Sequence, residues 1–231
     1  MQARIGGCPL AYQNYILLSI LWIAYCVVHS ALISVSVTDF FKRFLGNKYR
    51  FYRLFFNIFS VATLIPLLRY SNSDNWRREI FFTWEGPIRP IQYGMIILGG
   101  ILLLTAARHY SMLQFLGIKQ IGQERSGNGR IGSGGLDTSG VLKVTRHPWY
   151  LGVFLLIWAS DISTRELIIN LILSAYLMIG TLLEERKLVL EFGDKYKDYQ
   201  RQVSMFIPVK WLRLKLQAWK VRLYRPADGS L

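Results

Sequence analysis

The chain is short of charge, and shorter still of acid. Asp, Glu, Lys and Arg make up 18% of its residues, and 14 acidic side chains stand against 28 basic ones, for a formal net charge of +14. A soluble domain normally carries about a quarter charged residues, so the shortage argues against an ordinary soluble domain and against a soluble nucleic-acid binder. Disordered chains are poor in hydrophobic and aromatic residues; here 52% are hydrophobic and 14% aromatic, which argues against disorder. Cysteine is scarce too: Cys8 and Cys26 set no disulfide framework. No His/Cys ligand cluster stands out in the loops, so no metal is expected. What remains is an integral-membrane protein with its cations gathered outside the lipid, long enough for one compact bundle.

Charge-free stretches give the organisation. A membrane-crossing helix needs about 20 apolar residues, and residues 5–38 contain no Asp, Glu, Lys or Arg. The expected spans are 15–37, 54–68, 90–107, 149–160 and 167–183, the first read as a retained span rather than a cleaved signal peptide. Strand alternation is absent and lipid demands internal backbone pairing, so all five are expected as helices. The fold class is therefore all-α, a polytopic membrane helix bundle of about five transmembrane helices with a cytoplasmic C-terminal cofactor-binding segment. Three regions are expected: 1–110 with the first three spans, 111–208 as the core, and 209–231 as a basic amphipathic tail suited to an anionic leaflet.

Five spans place the termini on opposite sides. Segments 38–53, 108–148 and 184–231 then hold five, six and eleven cations, which is 22 of the 28, and these face the cytoplasm by the positive-inside rule. The expected location is the inner membrane, N-terminus outside and C-terminus cytoplasmic, with membrane lipid as a partner and no nucleic acid. Glycines crowd residues 122–140, but without a buried strand before them they read as a flexible loop rather than a phosphate cradle.

The polar residues beside the last two spans carry the chemistry. Arg146, His147, Tyr150 and Gly152 open one span, and Glu184 and Glu185 close the next. If 161–166 reverses the chain, a helical hairpin returns a guanidinium, an imidazole, a phenol and two carboxylates to one membrane boundary. Such a set can grip a zwitterion: Arg for a carboxylate, Glu for an ammonium, an aromatic face for a cation. The plain alternative is an interfacial salt bridge between Arg146 and Glu185. His29, an ionisable residue within a span, is a second candidate for substrate contact, against a reading as a histidine bonded to a neighbouring helix.

Arg146, His147, Pro148, Tyr150, Gly152, Glu184, Glu185, Phe192, Gly193, Tyr196, Tyr199, Val203 and Pro208 resemble the signature of the isoprenylcysteine carboxyl methyltransferase superfamily of integral-membrane methyltransferases. The stretch from Leu183 to Pro208, LEERKLVLEFGDKYKDYQRQVSMFIP, with Trp158 and Ala159, is similar to the bacterial membrane thiol methyltransferases that methylate methanethiol. His29 with Ser30, the group Tyr52, Arg53, Leu54 and Asn57, and Phe115, Leu116, Gly117 and Gln120 resemble upstream marks of the same proteins.

The resemblance implies an S-adenosyl-L-methionine site on the cytoplasmic side, with a small thiol or lipophilic acceptor arriving from the membrane. Carried over by position, it makes His147, Tyr150 and Glu185 the main cofactor contacts, with Arg146 and Glu184 supporting them. Gly152, Tyr196 and Tyr199 are further expected cofactor contacts, Arg146 and His147 the expected catalytic residues, and His29, Arg53 and Asn57 the expected substrate contacts. For a thiol acceptor, Arg146 or His147 would favour the thiolate. Three other functions stay open: carboxyl methylation of a prenylated cysteine, a nicotinamide-dependent membrane reductase with a similar C-terminal pattern, and a non-catalytic membrane factor.

Overall fold

The computed structural model describes residues 9–73, 76, 80–109 and 136–223. Most of them are helical: α1 Pro9–Ile33, α2 Val35–Leu45, α3 Tyr52–Ser71, α4 Arg89–His109, α5 Pro148–Trp158, α6 Thr164–Phe192, α7 Asp194–Gln202 and α8 Val209–Leu223. Two short strands, β1 Ile80–Phe82 and β2 Ile162–Ser163, pair antiparallel. Four helical stretches are long and apolar enough to cross a membrane: Tyr12–Ile33, Val35–Ser71, Gly86–Arg108 and Thr164–Phe192. The chain is thus an all-α membrane bundle. Large apolar side chains such as Ile20, Val27, Ile97 and Ile179 point outward rather than into a core, as lipid contact requires. The Gly-rich stretch 122–135, Cys8, and the quoted residues Phe115 to Gln120 lie outside the described residues.

The first expected span ends earlier than 37. Ser34 leaves helical geometry with ψ 151° and caps α2, its hydroxyl accepting from Val37 N at 3.4 Å. The last four residues read as membrane span, 34–37, are therefore the cap and first turn of a separate helix. On α2, Val37, Phe40, Phe41, Phe44 and Leu45 share one side, with Asp39, Lys42 and Arg43 opposite. The span expected at 54–68 is a 20-residue helix, α3, that contains Pro66. Tyr52 ties its start to the end of α1 by donating to Leu32 O at 2.7 Å. At the other end Leu18, Trp22, Leu67 and Trp76 pack together, and Trp22 Nε1 donates to Ser71 Oγ at 3.0 Å.

The expected hairpin of two spans needs correction. Helix α5 has 11 residues, roughly 16 Å at 1.5 Å per residue, against a hydrocarbon core of about 30 Å. It starts at Pro148 and runs beside only part of α6: Trp158 Nε1 donates to Ser174 Oγ at 3.0 Å, ten residues past the start of α6. Beyond it the chain turns at Ala159 (φ −81°, ψ 0°) and enters β2 at Ile162 before α6 begins at Thr164. Side chains bond the carbonyls of this connection: Gln92 Nε2 donates to Ala159 O at 2.8 Å and Trp84 Nε1 to Ser160 O at 3.1 Å. Trp84 N in turn donates to Asp161 Oδ1 at 3.0 Å.

The main partner of α5 is α4. Gly99 and Gly152 face each other so closely that a Cβ on either would stand 3.0 Å from the other's carbonyl oxygen. Small residues let helix backbones approach in this way.

Candidate functional site

Glu185 is the centre of a buried polar cluster. Its Oε1 accepts from Arg146 Nε at 2.8 Å, from His147 Nε2 at 2.7 Å and from the Tyr196 hydroxyl at 2.8 Å. Its Oε2 accepts from Arg146 Nη2 at 2.9 Å and from Gln200 Nε2 at 2.5 Å. A carboxylate offers about four lone-pair sites, so five donors leave it saturated. Glu185, His147 and Tyr196 are 7%, 3% and 1% exposed, so the cluster is largely closed to solvent.

Each member reaches this point for a local reason. His147 is the N-cap of α5, with Pro148 supplying a first helical residue that needs no donor. Gly193, at φ 58°, ends α6 in a conformation that favours glycine, and its N–H bonds Val189 O at 2.9 Å. The chain turns there into α7, which presents Tyr196, Tyr199 and Gln200 to α6. Beyond α7, Arg146 N donates to Ser204 O at 3.0 Å and His147 N to Met205 O at 3.2 Å. Thr145 Oγ1 adds a bond to Met205 O at 2.8 Å. The segment 145–147 is therefore stitched to 203–205 by backbone as well as by side chains.

Arg146 spends its donors inside the protein. Besides the two bonds to Glu185, its Nη1 donates to Gln200 O at 3.1 Å and Val203 O at 2.5 Å. Tyr199 donates to Leu142 O at 2.6 Å, holding the single turn Gly140–Lys143 against α7. Burial, and then its bond to Glu185, push the Tyr196 phenol above its ordinary range.

The outward edge of the cluster is different. A carboxylate paired with Arg146 accepts only, so His147 donates through Nε2. Its other nitrogen, Nδ1, faces Glu184 Oε2 at 3.7 Å, and the Glu184 side chain is 34% exposed. The Tyr150 ring stands edge-on to His147 at 5.6 Å and lies along Gly180 of α6. The imidazole edge, the exposed carboxylate and the phenol ring are thus brought together.

Of the expected site residues, the structure unites Arg146, His147, Tyr150, Glu184, Glu185 and Tyr196, with Tyr199 one helical turn away. Gly152 sits at the crossing with Gly99 instead, because α5 turns that face toward α4. Arg53 and Asn57 occupy the first two turns of α3, next to Phe56, whose ring packs 4.9 Å from His29. Gln200 and the carbonyls of Val203 and Met205 had no sequence signal; only the return of the chain from α7 reveals them. Among the described residues no group of three or more His, Cys, Asp or Glu side chains could hold a metal ion.

Comparison with known proteins gives several relatives of one name. The chain is 35% identical over 112 residues to methanethiol S-methyltransferase of Pseudomonas deceptionensis, covering 48% of this chain and 42% of that protein. It is 30% identical over 156 residues to methanethiol S-methyltransferase 2 of Bradyrhizobium diazoefficiens, covering 64% and 57%. Against methanethiol S-methyltransferase of Crocosphaera subtropica it is 30% identical over 141 residues, covering 59% and 50%. The chain thus spans about half the length of the curated relatives it matches. No family model and no solved structure matches it.

Proposed function

We infer that this chain is an integral-membrane methyltransferase that takes a methyl group from S-adenosyl-L-methionine and places it on a small thiol of the methanethiol kind. The observation that carries the reading is the edge formed by His147 Nδ1, Glu184 and Tyr150, held in place from behind by the saturated Glu185 cluster. The relatives' shared name supports the reaction class and the acceptor.

The donor set fits a methionine-like zwitterion in part. Glu184 is a carboxylate free to meet an ammonium, and the Tyr150 ring offers a face to a sulfonium. Arg146 does not fit the part of binding a carboxylate, because its donors are committed to Glu185, Gln200 and Val203. It acts as a positioning residue that fixes Glu185 and, through it, the His147 ring.

S-adenosylmethionine supplies a methyl on a sulfonium that already carries its leaving group, so the protein's share is orientation, exclusion of water and removal of the thiol proton. Positioning alone can contribute about 7 to 11 kcal/mol in favourable cases. His147, with Nε2 donating to Glu185, presents Nδ1 as the acceptor for that proton. The positive-inside rule supports a cytoplasmic side for the cluster, since the segments expected on that side hold 22 of the 28 cations.

The test is to incubate membranes carrying the protein with methyl-labelled S-adenosylmethionine and a panel of thiols, and to analyse volatile and lipid products separately. Labelled dimethyl sulfide from methanethiol, lost in His147→Ala, is the expected result. Label confined to a lipid ester would move the reading to carboxyl methylation of a prenylated cysteine. Binding of NADPH but not S-adenosylhomocysteine would move it to a reductase.

A further inference from the structure

A second polar site lies inside the bundle, between α1 and α3. Helical hydroxyls in this protein normally bond their own helix four residues back: Ser19 to Tyr15 O, Thr63 to Phe59 O, Ser71 to Leu67 O, Thr105 to Ile101 O and Thr181 to Leu177 O, all at 2.7 to 2.8 Å. Ser60 breaks the pattern. Its Oγ is buried and has no hydrogen-bond partner among the described residues, and the same is true of His29 Nδ1. Both residues line one small cavity, together with Tyr25, Val28, Phe59 and Thr63.

Two orphaned polar atoms at membrane depth are costly unless something answers them. The cavity has ≈ 10 Å³ of room for the centre of a water-sized group, which admits one small head and no more. Its other walls are aromatic: the His29 ring has Phe56 at 4.9 Å, Tyr25 at 5.8 Å and Tyr176 at 6.4 Å. An apolar body with a single sulfhydryl or hydroxyl matches this shape, its head bonding His29 Nδ1 and Ser60 Oγ.

The site also has a connection to the cluster. Tyr176 is followed by Gly180 and Glu184 at four-residue steps, so all three lie on one face of α6. Tyr150 packs on Gly180 and Glu184 faces His147. From Tyr176 to Glu184 is eight residues, about 12 Å.

We propose that the His29–Ser60 cavity is a membrane-depth docking site for a small neutral molecule with one sulfhydryl or hydroxyl head, the methyl acceptor, held about two turns of α6 from the Glu184 edge. That the occupant is the acceptor rests on the thiol methyltransferase reading above; that a one-headed molecule docks does not.

The test uses the full chain in lipid nanodiscs with ring-¹⁵N histidine. Only His29, His109 and His147 contribute signals, and His29→Phe assigns the relevant one. Titration with 1-butanethiol should give a saturable shift of the His29 resonance, weakened at least fivefold in Ser60→Ala, while pentane, which lacks a head, leaves it unmoved. In turnover, Ser60→Ala should raise KM for methanethiol at least fivefold with S-adenosylhomocysteine affinity unchanged. A His29 signal that ignores the thiol, or answers pentane equally, overturns the site, including the case in which only water fills it. A clear thiol shift without methyl transfer to any thiol leaves the site standing and removes the transferase reading instead.

Discussion

Arg146 and Glu185 meet as a two-pronged pair, 39 residues apart in sequence, with Nε to Oε1 at 2.8 Å and Nη2 to Oε2 at 2.9 Å. Both side chains are under a tenth exposed. Removing one partner of a buried pair leaves an uncompensated charge and costs about 3 to 5 kcal/mol. Arg146→Ala should therefore lower the unfolding temperature in detergent and expose the segment from α7 onward to protease. If Arg146 touched substrate alone, activity would fall while the melting temperature and cleavage pattern stayed the same.

Tyr196 gives a milder version with a pH signature. Replacing it by Phe strips one donor from Glu185 and should cost about 1 to 3 kcal/mol. Its phenol pKa is raised above the ordinary 10.0 by burial first and the bond to Glu185 second. A raised folded-state value means that the stabilisation is full below about pH 10 and is lost as pH climbs above it. The stability gap between the wild type and Tyr196→Phe, measured by denaturant melts, should be constant from pH 7 to 9 and shrink at higher pH. A gap that widens there would contradict the assignment.

The Gly99–Gly152 crossing predicts a position-specific packing cost. A Cβ at either residue would stand 3.0 Å from backbone oxygen, which cannot swing aside, whereas at Gly100 it would meet nothing within 4 Å. Gly152→Ala should cost about 1 to 3 kcal/mol as α4 and α5 are forced apart. Gly100→Ala, one residue from Gly99 on the same helix, should be neutral or slightly stabilising. Equal melting temperatures for the two variants would refute close packing at the crossing.

What the sequence revealed and what it hid divide along the range of the interaction. The charge-free run before residue 38 marked α1, and the four-residue shortfall at its end comes from Ser34, whose cap is a local signal that hydropathy alone overlooks. The spacing of His147 and Glu185 from their apolar runs led to the expectation of one shared boundary, and the two side chains stand 2.7 Å apart. The half-length of α5 was not legible, because an apolar count does not say where inside an apolar stretch a helix stops. That depended on Trp84 and Gln92 being available to bond residues 159–161. Nor could sequence show that Glu185 would be saturated: Gln200 is an unremarkable polar residue until α7 folds back on α6.

Of the two carboxylates expected to contact the cofactor, Glu185 is saturated by its five donors and Glu184 is not. Glu184 keeps a third of its side chain exposed and lies 3.7 Å from His147 Nδ1, beyond a direct hydrogen bond. Glu184→Gln keeps the shape and removes the charge, so it should leave the melting temperature within about 0.5 kcal/mol equivalent, as expected for a partly exposed side chain outside the buried network. If Glu184 meets an ammonium group, the same change should weaken S-adenosylhomocysteine binding by about 1.5 to 3 kcal/mol, the range for hydrogen bonds to charged groups. Calorimetry on the purified chain would read both quantities. Unchanged affinity would return the ammonium contact to another group, and a lowered melting temperature would make Glu184 part of the structural cluster behind it.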